Sequence, residues 1–308
     1  MELHQLRYFL AVARFGSFTR AAEHERIAQP SLSQQIRKLE DELGVRLFDR
    51  LGRRIRLTTC GERFQEHARR VLSDLEDARR DVNAMLGLHT GPVFIGVIPT
   101  VAPYILPQVL ARCAKACPGI TVNVVEDLTH GLLKGVSEGE LDLALLSLPV
   151  EAPELAAEPL MRDRMLLAVP KHHPLWRRRR RVTLDEVARE RFLLLKDGHC
   201  FRDDVLEVCK RSRLYPHVVF EGGQFDTLVA MVAAGAGVTL LPEIARARYR
   251  HGDVGLIEFA PPQPTRTVGI VRAKGKFLTP AARVFIDALH HLASNRNRGK
   301  GRSASTKT

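Results

Sequence analysis

Hydrophobic positions in the first 60 residues recur at helical spacing and are separated by short turns. The apolar residues within 3–13 follow a three-to-four-residue repeat, which predicts a first helix that ends at Gly16. Ser17 is a good N-cap for a second helix, and a proline-containing turn leads into a third helix over residues 31–43. Residues 47–58 then have the pattern of a short β-hairpin. The chain therefore begins with three short helices and a wing.

The next segment, residues 61–87, predicts one long helix with a heptad repeat. Its apolar residues are spaced alternately four and three apart, and they are Phe64, Ala68, Val71, Leu75, Ala78, Val82 and Met85. A helix that only covers a globular core would show a wider and less regular apolar stripe. The repeat therefore favours a coiled coil that joins two chains, followed by a linker over residues 89–92.

Beyond residue 92 the pattern changes to short apolar runs that alternate with helical stretches. The runs cover residues 93–98, 120–125, 141–148, 165–169, 192–195, 218–220, 238–241 and 268–271. This alternation predicts a parallel sheet with crossover helices, and a ligand site where the strands end. The last segment, residues 295–308, is polar and basic, and it predicts a disordered tail.

Composition places the chain among ordinary globular proteins, since 45% of its 308 residues are hydrophobic and 27% are charged. The longest apolar runs are far shorter than the ~20 residues of a membrane span, and no secretory signal opens the chain, so we expect a cytoplasmic protein without a membrane partner. Five cysteines, an odd number, argue against a disulfide scaffold. The formal net charge of +12 suggests a nucleic-acid partner. However, residues 1–87, which contain the predicted helices and wing, hold 16 basic and 13 acidic side chains and are therefore only weakly positive. Charge alone therefore does not establish DNA binding.

The third helix carries the side chains expected of a DNA-reading helix in a helix-turn-helix. Its hydroxyls and amides suit base edges and its cations suit phosphates, and the set is Ser31, Ser33, Gln34, Gln35, Arg37 and Lys38. The wing adds Arg50, Arg53 and Arg54 as phosphate contacts. On composition alone, a solvated amphipathic helix remains the alternative.

The wider motif set resembles the winged helix-turn-helix of LysR-type transcriptional regulators. The matching motifs are Phe9-Leu10-Ala11-Val12-Ala13, Gly16-Ser17-Phe18, Ala21-Ala22, Gln29-Pro30-Ser31-Leu32-Ser33-Gln34-Gln35-Ile36, Leu39-Glu40, Leu43-Gly44, Leu47-Phe48-Asp49-Arg50 and Leu57-Thr58. The resemblance extends to about residue 293 and implies an α/β protein with a DNA-binding domain over 1–58 and a dimerisation helix over 59–90. A two-lobed, periplasmic-binding-protein-like effector domain would follow over 91–294, with lobe I at 91–162 and 268–294 and lobe II at 163–267.

That resemblance also implies the partners of the chain. Members of the family bind promoter DNA as homodimers or homotetramers and regulate transcription, so contact with RNA polymerase is a further expectation. The resemblance implies a regulator and not an enzyme, and it implies no cofactor and no metal.

A cysteine-containing segment is similar to the redox segment of the peroxide-sensing, OxyR-like branch of this family. The residues are Gly198-His199-Cys200-Phe201-Arg202-Asp203, followed nine positions after the first cysteine by Cys209. In that branch hydrogen peroxide oxidises the first cysteine and the second resolves it to a disulfide. The resemblance implies the same roles for Cys200 and Cys209. It also implies a peroxide pocket made of Thr100, Thr129, His130, His199, Asp203 and Arg266.

The chemistry of a thiol explains why such residues belong together. The thiolate is the nucleophile, so Cys200 needs a nearby cation such as Arg266, or the amides of a helix N-terminus, to lower its pKa. A relative that keeps these cysteines only as packing residues would instead bind a small organic effector near Thr100, Thr129 and Arg266. A thiol peroxidase enzyme is a third interpretation, but the helix-turn-helix motif argues against it. Cys113 and Cys117 read as ordinary thiols, since no histidine lies at zinc-like spacing.

Overall fold

The computed structural model describes residues 1–51, 54–85, 91–212 and 215–304. They form two compact units, one with the N-terminal helices and wing and the other with the α/β region. The elements of the first unit are α1 (Leu3–Phe15), α2 (Phe18–Glu25), α3 (Gln29–Leu43), β1 (Phe48–Leu51), β2 (Arg54–Leu57) and α4 (Thr59–Met85). The predicted order of three helices, wing and long helix is therefore confirmed.

Local capping explains where these helices begin and end. Gly16 ends α1 in the left-handed conformation at φ 59°, and the side chain of Ser17 then accepts a hydrogen bond from the Arg20 amide to start α2. Helix α3 starts at Gln29, two residues before the predicted start, because Pro30 suits the first turn of a helix.

The core of the first unit forms where the apolar faces of the helices meet. Phe9, Leu32, Ile36 and Leu39 are completely buried, which leaves the opposite, polar face of α3 in solvent. The Phe9 ring lies 5.2 Å from the ring of Phe48. This aromatic contact ties the first helix to the wing.

Helix α4 confirms the predicted long helix, and it divides the heptad seam into two parts. Phe64 and Ala68 pack into the core of the helix-turn-helix. Val71 and Val82 are 45% and 60% exposed. Among the described seam residues, Val71 and Val82 are therefore available to a partner helix.

The α/β unit contains nine strands and eight helices among the described residues. The strands are β3 (Gly91–Val97), β4 (Ile120–Glu126), β5 (Leu143–Leu148), β6 (Leu155–Pro170), β7 (Arg191–Leu195), β8 (His217–Gly222), β9 (Thr239–Pro242), β10 (Val254–Glu258) and β11 (Thr265–Ala273). The helices are α5 (Ala102–Ala116), α6 (Thr129–Ser137), α7 (Pro174–Arg177), α8 (Leu184–Val187), α9 (Cys200–Arg211), α10 (Phe225–Ala233), α11 (Arg246–Tyr249) and α12 (Pro280–Ala304), with a 3₁₀ turn at Glu243–Ala245.

The sheets are mixed, so the prediction of a parallel sheet is wrong for part of the unit. Strand β3 runs parallel to β4 and β5, and β7 runs parallel to β8. Strand β6 runs antiparallel to β9, β10 and β11, and β11 runs antiparallel to β5. The loops that precede β6 and β11 carry no helix, and a parallel crossover needs a connection of about a dozen residues or more.

The long strand β6 passes through two hydrophobic cores. Its first half contributes Leu155, Leu160 and Met161 to one core, and its second half contributes Met165 and Leu167 to the other. The α/β unit therefore has two lobes, as the fold prediction requires, with β6 running through both.

The C-terminal helix α12 corrects the prediction of a disordered tail from residue 295. It continues to Ala304, and residues 305–308 of this segment lie outside the described part of the chain. Leu289 and Leu292 bury its inner face, and Arg296 donates a hydrogen bond to the Tyr104 carbonyl oxygen across 3.1 Å. These contacts extend the helix beyond the point where its sequence turns polar. Among the described residues, no helix is long and apolar enough to cross a membrane.

Candidate functional site

The exposed face of α3 presents most of the predicted DNA-reading residues. Ser31, Gln34, Arg37 and Lys38 are exposed, whereas Ser33 and Gln35 are half-buried. The Gln35 amide oxygen accepts a hydrogen bond from the Gln5 side chain across 3.1 Å. Four of the six side chains are therefore free to meet DNA, and Gln35 also braces α3 against α1.

A carboxylate that the sequence analysis did not single out holds the wing in place. Glu40 is 3% exposed, and its Oε1 accepts hydrogen bonds from the amides of Leu47 at 2.8 Å and Phe48 at 3.2 Å. Arg46 pairs with its other oxygen across 3.1 Å. These hydrogen bonds and this ion pair thus join the start of the wing to α3. Arg53 lies outside the described residues, as do the side chains of Arg50 and Arg54.

The cysteine site lies at the first residue of α9, between the two lobes of the α/β unit. His199 is the N-cap of the helix, and Cys200 is its half-buried first residue. Thr100, Leu128, Thr129 and His199 surround the cysteine in a space of about 160 Å³ that is too narrow for a water molecule. The thiol therefore sits in a small, narrow pocket with hydroxyl and imidazole groups in its wall.

Arg266 is the cation of this pocket, and its guanidinium is completely buried. Its Nε donates to Asp163 Oδ2 across 3.1 Å, and its Nη1 and Nη2 donate to Thr100 Oγ1 at 2.9 Å and to the Thr100 carbonyl oxygen at 3.1 Å. The guanidinium carbon also lies 4.8 Å from the centre of the Phe201 ring. These contacts fix the charge next to the first turn of α9.

The pKa of Cys200 is raised, which differs from the expectation of an activated thiol. Burial is the largest cause, and it outweighs the opposing effects of the Arg266 charge and of the neighbouring Thr129 hydroxyl. The Asp204 carboxylate also raises the pKa. In this structure the thiol form of Cys200 is therefore favoured, although the predicted cation is present.

Asp204, and not Asp203, is the carboxyl group beside the cysteine. Asp203 is exposed on α9, whereas the charge of Asp204 acts on the Cys200 thiol. Asp204 lies one helical turn after Cys200, and its Oδ2 accepts a hydrogen bond from Ser147 Oγ across 2.7 Å. Burial raises the pKa of Asp204, which makes it a candidate proton acceptor that the sequence analysis missed. Its spacing of four from Cys200 was the available signal.

The two predicted histidines have different positions. His199 is 5% exposed, burial lowers its pKa, and its Nδ1 makes no hydrogen bond with any described residue. His130 is exposed on α6 and is not among the residues that line the pocket. The neighbouring Thr129 points inward because successive helical residues are about 100° apart.

Cys209 is also on α9, but its side chain lies in the core of lobe II. It is 1% exposed, and burial raises its pKa to about 11. Nine residues separate it from Cys200 along an intact helix, which corresponds to roughly 13–14 Å between Cα atoms. The two thiols are therefore too far apart for a disulfide while α9 is folded.

A second cavity adjoins His199 and opens between the lobes, with about 560 Å³ of space. The hydroxyls of Tyr104 and Tyr249 lie 3.4 Å apart across it, and Tyr249 donates to Asp226 Oδ1 at 2.7 Å. Arg248 binds the same carboxylate. This cleft offers polar groups to a small organic molecule.

Metal binding has no candidate among the described residues, where no group of three or more His, Cys, Asp or Glu side chains is arranged to hold an ion. Cys113 is buried and Cys117 half-buried near the end of α5, and Cys60 is exposed.

Two family models match this chain. Residues 3–62 match the bacterial regulatory helix-turn-helix protein of the LysR family, and residues 87–294 match the LysR substrate binding domain. The chain belongs to the LysR family. It is therefore a DNA-binding transcriptional regulator, in which α1 to α3 lie within the helix-turn-helix match and residues 91–294 of the α/β unit lie within the substrate-binding-domain match.

Individual LysR-family relatives match over most of their length. The chain is 38% identical to the hydrogen peroxide-inducible genes activator of Pectobacterium carotovorum over 276 residues, which are 89% of this chain and 91% of the relative. It is 37% identical to the DNA-binding transcriptional dual regulator OxyR of Escherichia coli K12, over 89% and 90% of the two chains. A full-length OxyR of Pseudomonas aeruginosa with one cysteine replaced by aspartate matches with a TM-score of 0.78, at 32% identity over 94% of each chain.

Proposed function

We propose that this LysR-family regulator senses hydrogen peroxide through Cys200 and resolves the oxidised product with Cys209. The observation that carries the proposal is the buried Arg266, which donates a hydrogen bond to Thr100 in the wall of the Cys200 pocket. The printed names of its relatives, peroxide-inducible activators and OxyR, support the same sensing role.

The proposed reaction has two steps, oxidation of Cys200 and formation of the disulfide. The Cys200 thiolate attacks one peroxide oxygen, the O–O bond breaks, and the departing oxygen takes a proton to leave as water while Cys200 becomes a sulfenic acid. The Cys209 sulfur then attacks the Cys200 sulfur, and the hydroxyl group leaves as a second water when the disulfide forms. The positive charge of Arg266 and the neighbouring Thr129 hydroxyl would stabilise the thiolate, and the raised pKa of Asp204 suits it to take the thiol proton.

The second step requires a conformational change in α9. A disulfide needs Cα atoms about 4.4–6.8 Å apart, so the helix between the two cysteines has to unwind. Phe201 and Val205 would then leave the lobe II core, in which both are buried. In this proposal the exposed surface alters how effector domains pair in a dimer or tetramer, and α4 passes the change to the DNA-binding domains.

Mass spectrometry of the peroxide-treated protein tests this proposal. We expect a 200–209 disulfide in the wild type and a sulfenic acid on Cys200 in Cys209→Ser. Cys117→Ser is the matched control and should leave the disulfide unchanged. Peroxide-treated wild type that keeps both thiols reduced would contradict the proposal.

The cleft lined by Tyr104, Asp226 and Tyr249 favours a second candidate, a LysR-type regulator with a small organic effector. Counting free thiols before and after stoichiometric peroxide separates the two, because only the redox sensor loses two thiols. Under either reading we propose that the protein acts in the cytoplasm as a homodimer or homotetramer, on promoter DNA and beside RNA polymerase.

A further inference from the structure

An arginine-rich cavity lies apart from the cysteine pocket and is bounded by both lobes. It holds about 760 Å³ of space that opens to solvent. Lobe I contributes Arg162 on β6 and Arg296 on α12, and lobe II contributes Arg246 and Arg250 on or next to α11. Glu243 is the acidic residue of its wall. Nothing in the proposed peroxide chemistry uses this cavity.

The cations of the cavity outnumber the carboxylates that neutralise them. Glu243 is already held by Arg164, whose Nε and Nη2 donate to its two oxygens at 2.9 and 2.5 Å. Arg246 pairs with Glu258 through Nη2 at 2.8 Å, but its Nε is buried without a hydrogen bond to any described residue. Burial also lowers the pKa of Arg296, as is typical of a cation with too little counter-charge.

We propose that this cavity binds a small organic anion with two or more acidic groups, either phosphoryl or carboxylate. Guanidinium groups present paired N–H donors that match both kinds of anion. Met161, Ile244 and Ala247 add apolar wall for a short carbon skeleton. Because the arginines come from both lobes, a bound anion joins the lobes by charge.

The same cavity connects to the cysteine pocket through three hydrogen bonds. The Ile244 amide donates to Asp163 Oδ1 at 3.1 Å, and Asp163 Oδ2 accepts from Arg266 Nε at 3.1 Å. Arg266 in turn binds Thr100 beside Cys200. An anion that shifts residues 243–250 therefore shifts the cation next to the thiol. This coupling, unlike the binding itself, rests on the proposed role of Cys200.

Isothermal titration of the full chain at fixed ionic strength tests the site. Pyrophosphate and citrate are the probes, so that binding of one or the other tells a phosphoryl site from a carboxylate site. Arg162→Ala with Arg250→Ala removes two exposed arginines of the cavity and should weaken binding at least about tenfold.

The matched control is Arg112→Ala with Arg177→Ala, which removes the same charge at exposed positions outside the cavity and should leave the affinity within about twofold. Equal losses in both double variants would overturn the site, because they would indicate binding to the overall positive charge. A wild type that binds neither probe below about 10 mM would also overturn it.

The coupling is tested by the rate at which stoichiometric peroxide consumes the Cys200 thiol. A saturating probe should change this rate by at least about twofold in the wild type and not in the Arg162→Ala, Arg250→Ala variant. Tight binding with an unchanged rate would overturn the coupling. If Cys200 does not react with peroxide at all while the arginine-dependent binding persists, the proposed function fails and the anion site stands.

Discussion

Arg266 and Asp163 form a completely buried ion pair beside Thr100 of the cysteine pocket, with Nε donating to Oδ2 across 3.1 Å. Asp163 lies on β6 and Arg266 on β11, strands that pair antiparallel in this register. The same guanidinium binds Thr100 on the far side. One side chain therefore links the lobe boundary to the candidate sensing thiol.

Removal of Arg266 should strongly destabilise the protein. Arg266→Ala removes the buried counter-charge of Asp163, and breaking such a buried pair lowers the free energy of unfolding by about 3–5 kcal/mol. Urea unfolding followed by circular dichroism measures the loss. Arg164→Ala breaks a more exposed pair with Glu243 and should cost clearly less. Equal losses would show that burial does not set the strength of the Arg266 pair.

Oxidation of Cys200 should accelerate as pH rises. Because the folded protein raises the pKa of Cys200, little thiolate is present at neutral pH, and the rate should increase about tenfold per pH unit until pH passes that pKa. Thr129→Val removes a hydroxyl that lowers the pKa of Cys200, so the variant should react more slowly than wild type at neutral pH. At high pH the two rates should converge. Single-turnover thiol loss across pH measures both effects.

Thr227→Val is the control, since Thr227 is an exposed threonine on α10. A flat pH profile around neutrality would mean that the thiol is already ionised, which contradicts the direction of its pKa shift.

Disulfide formation should expose the backbone of α9. We expect amides over residues 201–208 to exchange faster with solvent after peroxide treatment, because the helix between the cysteines has to open. Hydrogen exchange with mass spectrometry measures this directly, and footprinting should show a changed length of protected DNA. Cys200→Ser should abolish both changes. A 200–209 disulfide formed with unaltered exchange would refute the conformational switch.

DNA binding should separate phosphate contacts from base contacts. Arg37→Ala should weaken binding to every sequence alike and reduce the salt slope by about 1. Gln34→Ala should instead reduce discrimination between operator and random DNA. Fluorescence anisotropy over a salt series distinguishes the two. An Arg37→Ala protein with unchanged salt dependence would argue against its phosphate contact.

The exposed part of the α4 seam should hold two chains together. Val82→Glu places a carboxylate in that seam, and burial of an unpaired charge there costs several kcal/mol, so the dimer should dissociate. Arg70→Glu changes charge at an exposed position outside the seam and is the control. Multi-angle light scattering gives the mass of each. If both variants keep the wild-type mass, the seam does not join the chains.

The amino-acid sequence by itself determined the local elements of this protein. Helical periodicity, the Ser17 cap and the heptad spacing predicted α1 to α4, because each signal depends on neighbours within one or two turns. The motifs around Cys200 and in α3 likewise identified the family that the chain resembles. Such patterns are local, and they are present in the chain before it folds.

Only the tertiary structure decided which side chains meet and how charged they are. Ser147 and Asp204 are 57 residues apart in the chain, and Thr100 and Arg266 are 166 apart. Contacts at such separations turn Asp204, and not Asp203, towards the cysteine, and they bury Cys200 enough to raise its pKa. The antiparallel course of β6 and the helical continuation to Ala304 also depend on packing partners that lie far away in the sequence. Burial and distance belong to the assembled cores, so no local pattern encodes them.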